Sequence, residues 1–198
     1  MECIRCILVG DNDVGKTYFL LSLTENIFPY SDYDFIPTVF DSYSLNTIVK
    51  GKEYNLFFQL IAKSENYKKT RHYSYCNQDL FIICFSLVSP ESLENVEKIY
   101  YPEIKEYCRE SPYILVGLKS DLRDHFYEHS NEYPTNNIEA IPTYKGEEMK
   151  TKIKAMDYVE CSSLKQTNFE YFINLVVDIF QNQNNYKINN ENHCCLII

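Results

Sequence analysis

Eight residues near the N-terminus, Gly10-Asp11-Asn12-Asp13-Val14-Gly15-Lys16-Thr17, have the types and spacing to hold a phosphate chain. In a Gly-x-x-x-x-Gly-Lys-Thr loop, successive backbone N–H groups turn inward toward the β-phosphate. The helix after the loop adds its positive end. Lys16 supplies a point charge to the β- and γ-phosphates, and Thr17 offers a hydroxyl to Mg²⁺. Asp13, Val14, Gly15, Lys16, Thr17 and Tyr18 are the nucleotide-binding candidates of this stretch. A pattern this short also arises by chance. Its position, after a strand-like run and before a helix-like one, favours function.

A second stretch addresses the base. Gly117-Leu118-Lys119-Ser120-Asp121 comes after an apolar strand-like run, and ligands of open α/β sheets sit at the carboxyl ends of strands. The Asp121 carboxylate can accept from both N1–H and the 2-amino group of guanine. Adenine has no such pair of donors, so a buried carboxylate left without partners rejects it. Lys119 can lay its stem along the ring. Alone, Lys-Ser-Asp reads equally well as a solvated turn. Glu160-Cys161-Ser162-Ser163-Leu164, which can turn backbone N–H groups to the guanine oxygen, makes the functional reading the stronger one.

The elements that must position these loops alternate along the chain. Cys3 to Val9 reads as a strand, and Tyr18 to Asn26 as a helix after the loop. Ser42 to Val49 and Glu53 to Ile61 are strand-like, with Lys50-Gly51 between them as a tight hairpin turn. Leu80 to Leu87 is a continuous apolar run, as in a strand buried on both faces. Ser89 is placed to cap a helix with Pro90 at its first position. Tyr113 to Leu118 is a further buried strand and Tyr158 to Cys161 a short one. Thr167 to Gln181 has helical periodicity. Such alternation implies a mostly parallel sheet between helical layers, and the hairpin implies one antiparallel edge. His125 to Ile141 is polar with Pro134, Asn136 and Asn137, and reads as an inserted surface loop with at most a short helix. From Asn182 the Asn-rich chain reads as a flexible tail.

Composition narrows the class. The chain has 198 residues, 45% of them apolar, enough for one domain with a full core. A net charge of -9 argues against nucleic-acid binding, which needs clustered Lys and Arg. No apolar run approaches the ~20 residues of a membrane helix, and Met1 to Arg5 leads straight into a strand pattern with no signal-peptide regions. Of the eight cysteines, Cys6, Cys84 and Cys161 lie in apolar strand-like runs, where Cys behaves as a small hydrophobe. The lone Cys-x-x-Cys pair, Cys3 and Cys6, lies in a strand-like run with no second such pair, a pattern that does not point to zinc. Reduced thiols in a cytosolic protein are the expectation.

On these motifs the chain resembles the Rho family of small GTPases, within the Ras superfamily, over Cys3 to Leu164 and again at the C-terminus. Phe35-Ile36-Pro37-Thr38-Val39-Phe40-Asp41 is similar to the family's first switch and effector segment. Phe81-Ile82-Ile83-Cys84-Phe85-Ser86-Leu87-Val88-Ser89-Pro90 is similar to its fourth strand and the turn after it. Leu122-Arg123-Asp124 and the residues after it resemble the Rho insert, near 124–141. The resemblance implies an α/β Ras-like P-loop nucleotide-binding fold over 1–181. Its sheet would have six strands, mostly parallel with one antiparallel edge strand, and helices on both faces. It implies GTP or GDP with Mg²⁺ as ligands, with Thr38 joining Thr17 at the metal and offering its N–H to the γ-phosphate. Phe28 would pack against the base, although core packing explains a Phe there equally well. Lys119, Asp121, Ser162 and Ser163 would hold guanine. Effector proteins would dock on Phe35, Ile36, Pro37, Val39, Phe40 and Asp41, with exchange factors and guanine-dissociation inhibitors as further partners. Cytoskeletal control is implied only by analogy.

The chain departs from the family where hydrolysis is performed. The family carries Asp-x-x-Gly-Gln after its third strand; this chain carries Leu60-Ile61-Ala62-Lys63-Ser64. Leu60 thus stands for the carboxylate that holds Mg²⁺ through water, Lys63 for a Gly whose N–H meets the γ-phosphate, and Ser64 for the Gln that orients the attacking water. No catalytic residue of the family is intact. Asn12 replaces a Gly and crowds the space of that Gln and of an arginine finger, which is worth about 10³–10⁵ in rate. Slow or absent hydrolysis is expected. A GTP-bound switch, a GDP-preferring protein and a nucleotide-free scaffold all remain open. Tyr30 to Asp34 adds residues before the first switch, Phe35 replaces a Tyr, and Leu118 replaces a polar residue of the guanine motif.

Cys195-Leu196-Ile197-Ile198 fits the prenylation pattern C-a-a-X. One prenyl chain anchors only reversibly. Asn182 to His193 carries a single Lys, so Cys194 is the candidate second lipidation site in place of a basic stretch. The expected location is the cytoplasmic face of membranes, with a cytosolic pool.

Overall fold

The computed structural model describes residues 1–28, 40–61, 73–128 and 140–194, with the backbone alone at 40 and 184–194. Thr38, the effector residues Phe35, Ile36, Pro37 and Val39, Lys63 and Ser64 of the second switch, Cys195 and most of the insert lie outside the described residues.

Strand β1 (Glu2–Val9) begins exposed and ends buried throughout, because it enters the centre of the sheet. The order is β2-β3-β1-β4-β5-β6, with β2 Phe40–Val49, β3 Lys52–Ile61, β4 Leu80–Ser86, β5 Tyr113–Leu118 and β6 Tyr158–Glu160. Among the described strands, β2 and β3 pair antiparallel and the other four pairings are parallel. The sheet therefore has the expected six strands and one antiparallel edge. Lys50 (φ 51°) and Gly51 (φ 78°) both take positive φ, the two-residue turn whose twist matches a hairpin. Every residue of β4 and β5 is buried, as required of strands covered on both faces.

Alternation along the strands divides the core in two. Ile4, Cys6 and Leu8 of β1 face helix α1 (Lys16–Glu25) and helix α6 (Phe169–Cys194). Ile7 and Val9 face the opposite layer. That layer begins with α2 (Pro90–Asn95), passes through a π-helical turn (Val96–Tyr100) and continues as α3 (Tyr101–Tyr107). Helix α4 (Ser120–Glu128) comes after β5, and α5 (Thr143–Ile153) precedes β6. Ser89 caps α2 as expected, its side chain accepting from the Ser92 N–H, with Pro90 next.

Some element boundaries differ from the sequence reading. Helix α1 starts two residues early, at Lys16, because Gly15 takes a left-handed cap conformation (φ 106°) and its carbonyl accepts from Phe19 N at 2.9 Å. Helix α6 does not stop at Gln181 but continues to Cys194; no Gly or Pro interrupts that stretch. Side-chain anchoring of α6 is seen up to Gln181, which donates to the Tyr54 hydroxyl, while Asp178 pairs with Lys50 at 2.6 Å. His125 to Glu128 belong to α4, and Ile141 is core, its N–H donating to the Leu87 carbonyl at 2.8 Å. Helix α5 has little apolar periodicity to announce it, since it buries only Gly146 and Ile153 among charged residues.

Candidate nucleotide site

The loop between β1 and α1 can exist only with Gly10 at its start. Gly10 has φ 146°, and a Cβ there would lie 2.2 Å from the Cys84 carbonyl oxygen of β4. The loop thereby lies against β4 and turns back at Asp13 (φ 60°) and Gly15. Lys16 is 7% exposed, and its ammonium donates to the carbonyls of Gly10 at 2.8 Å and Asp11 at 2.5 Å. A buried ammonium held by carbonyl dipoles inside the curve of its own loop is a preset anion site. Burial pushes the Cys84 thiol up to about 12, against the opposing pull of the Lys16 charge. Thr17 and Tyr18 are half-buried in the first turn of α1. The Tyr18 and Phe28 rings lie 5.5 Å apart, which places Phe28 beside the start of α1.

The base-side residues meet this loop from β5 and β6. Lys119 has left-handed backbone (φ 65°), and its ammonium reaches across to the Asp13 carbonyl at 2.6 Å. Its stem passes Gly15, where an added Cβ would meet Lys119 Cε at 3.5 Å. Burial lowers the Lys119 pKa, against the opposing pull of Asp13 and Asp121. Asp121 lies in the first turn of α4 and accepts from the Ser162 hydroxyl at 2.6 Å. Ser162 is fully buried, and its hydroxyl oxygen in turn accepts from Lys165 N at 2.9 Å. Ser163 accepts through its carbonyl from the Ser22 hydroxyl of α1 at 2.7 Å. Three segments, 10–17, 119–121 and 162–163, thus converge at the carboxyl ends of β1, β5 and β6. One carboxylate oxygen of Asp121 is engaged by Ser162, which orients the group.

Two supports escaped the sequence reading. Arg123 is buried beside the base loop and donates to Glu160 at 2.6 Å and to Asp124 at 3.0 Å. Burial works against its charge, but these carboxylates raise its pKa on balance. Tyr158 donates to the other Glu160 oxygen at 2.7 Å. Glu160 therefore ties α4, which carries Asp121, to the strand that leads to Ser162. An Arg two residues after Asp121, with a Glu two residues before Ser162, was the available signal.

Two of the departures from the family pattern, Leu60 and Asn12, lie among the described residues. Leu60 is a core residue at 6% exposure, paired across the hairpin with Asp41. It is an apolar side chain, with nothing to offer a hydrated cation. Asn12 is exposed and lines a cavity of about 620 Å³ with Ser89, Glu91 and Asn95, on the α2 side of the loop. Asp41 accepts from the Tyr43 hydroxyl at 3.4 Å. Burial, with Asp41 beside it, pushes Tyr43 up to about 12. The residues present fit a nucleotide: a buried cation, inward-curled backbone and a carboxylate held for the base. For Mg²⁺ the described donor is the Thr17 hydroxyl. Among the described residues no group of three His, Cys, Asp or Glu side chains can hold a metal ion on its own. No described helix is long and apolar enough to cross a membrane. A family model described as Ras family matches residues 5–181.

Proposed function

The chain belongs to the Ras family and is a small GTP-binding protein, and we propose that it is a Rho-type member that retains nucleotide while hydrolysing GTP very slowly. The observation that carries the second half is the burial of Leu60 in the apolar core. A side chain absorbed by the core offers no polar group to a hydrated cation at that strand end. Nucleotide retention is supported by the preset Lys16 and the Asp121–Ser162 bond. Mg²⁺, when bound, neutralises charge on the β- and γ-phosphates. Thr17 and Thr38 are the residues that would hold it, and Lys16 contributes the protein's own positive charge. Asn12 leaves little room for an arginine finger beside the phosphates, and Ser64 is too short to orient water as a Gln does. The Rho-type reading rests on the segments 35–41 and 81–90 and on Leu122-Arg123-Asp124. Effectors would dock on Phe35 to Asp41, and prenylation of Cys195, with palmitoylation of Cys194, would hold the protein at a membrane.

Single-turnover hydrolysis tests the reading. Purified protein is loaded with GTP, and phosphate release is followed with and without a Rho-activating domain. We expect no acceleration by that domain; ordinary stimulated turnover would overturn the proposal. Chromatography of the nucleotide released from the purified protein distinguishes a GTP-bound from a GDP-bound protein. Finding none would favour a nucleotide-free scaffold.

A further inference from the structure

The phosphate loop carries a carboxylate at Asp11, and that carboxylate is held from the helical layer. Asn95 donates its side-chain N–H to Asp11 Oδ2 at 2.6 Å, and the Tyr100 hydroxyl donates to Oδ1 at 2.8 Å. Tyr100 is almost fully buried, so its hydroxyl has little access to water as an alternative partner. The backbone carbonyl of the same Asp11 accepts from the Lys16 ammonium. One residue therefore joins the cation that meets phosphate to two side chains on the helix opposite.

The helix is shaped for this. Residues five apart on an α-helix point about 140° away from one another. Asn95 immediately precedes, and Tyr100 ends, the π-helical turn Val96–Tyr100. The wider i→i+5 turn brings positions 95 and 100 onto one side, where both reach Asp11. Such π turns inside α-helices are rare and recur at functional sites.

We propose that Asn95 and Tyr100 are positioning residues for nucleotide retention. They clamp Asp11 so that its carbonyl holds Lys16 toward the phosphates. The clamp rests on the nucleotide-binding reading, because Lys16 is where it acts. Its removal leaves the Asp11 charge in place while freeing the loop to move, so nucleotide leaves faster without any change in the groups that touch it.

The test uses the full chain loaded with fluorescent GDP and chased with unlabelled GDP. Asn95→Ala and Tyr100→Phe are each expected to raise the dissociation rate about three- to tenfold, the equivalent of one hydrogen bond. Rates within about twofold of wild type in the Asn95→Ala, Tyr100→Phe double variant would overturn the clamp. Amide hydrogen exchange is the second measurement, and it does not depend on nucleotide. The double variant should exchange faster over 10–17 and unchanged over 113–118. Uniform acceleration of both segments would mean general destabilisation and would overturn the proposal. If wild-type protein retains no GDP, the nucleotide-binding reading fails, and the exchange measurement still decides the clamp.

Discussion

At the scale of single residues, the site is a set of charges fixed by short bonds. Asp121 is oriented by Ser162, and its remaining acceptor capacity suits the paired donors of guanine. Asp121→Asn replaces one acceptor with an amide donor. We expect it to weaken GDP binding by about 10- to 150-fold, the worth of a charged hydrogen bond. Xanthosine diphosphate, which carries a carbonyl where guanine has its amino group, should gain affinity. Competition against fluorescent GDP measures both. The thiols make a second residue-scale contrast. Cys6, Cys84 and Cys161 are buried, and burial pushes each thiol far above its usual range. Cys3 and Cys76 are exposed. A maleimide at neutral pH should label Cys3 and Cys76 in the native protein and reach the buried three only after denaturation. Peptide mapping by mass spectrometry reads the outcome, and native labelling of Cys84 would contradict the burial.

At the scale of elements, the base loop depends on how closely α5 approaches β6. The Tyr158 ring stacks on Phe85, with centroids 6.0 Å apart, and fills space left by two glycines. A Cβ at Gly146 would lie 2.1 Å from the Tyr158 ring, and one at Gly117 would lie 3.0 Å from its hydroxyl. Gly146→Ala should therefore cost about 1–3 kcal/mol of stability, as overpacking does. It should also loosen the Glu160 network that steadies Asp121. Urea unfolding measures the cost. Tyr158→Phe in the same background relieves little of it, because the clash is with ring carbons as well as the hydroxyl. These contacts also show why part of the fold is hidden from the sequence. The strands announce themselves by apolar runs, and the hairpin by Lys50-Gly51. Helix α5 does not, because what it buries is chiefly a glycine. Helix α6 overruns its expected end because polar composition at 182–194 suggests a stop, although no Gly or Pro there breaks a helix.

At the scale of the molecule, binding and folding are linked. The phosphate loop, the base loop and α1 are joined by Lys119–Asp13 and Ser22–Ser163. A nucleotide spanning them should stabilise the whole domain and not one loop. At GDP concentrations a hundredfold above Kd, the gain is about 2.7 kcal/mol, visible as a rise in Tm. Lys16→Ala should abolish that rise. Differential scanning fluorimetry with and without GDP and Mg²⁺ checks it, and a GDP-dependent shift that survives Lys16→Ala would count against the site.

The glycine-rich loop between β1 and α1 and the parallel sheet with its antiparallel edge were legible in residue types and local spacing. Each is a short-range property, carried by a few consecutive side chains or by a period of two or of 3.6 residues. The tertiary structure decided what depends on residues distant in sequence. It brought Arg123 to Glu160 and thereby braced Asp121. It set Tyr158 between Gly117 and Gly146. It turned Asn95 and Tyr100 together through one π turn onto Asp11, some 84 and 89 residues away along the chain. No local pattern encodes such meetings, because only the folded sheet sets which helix faces which loop.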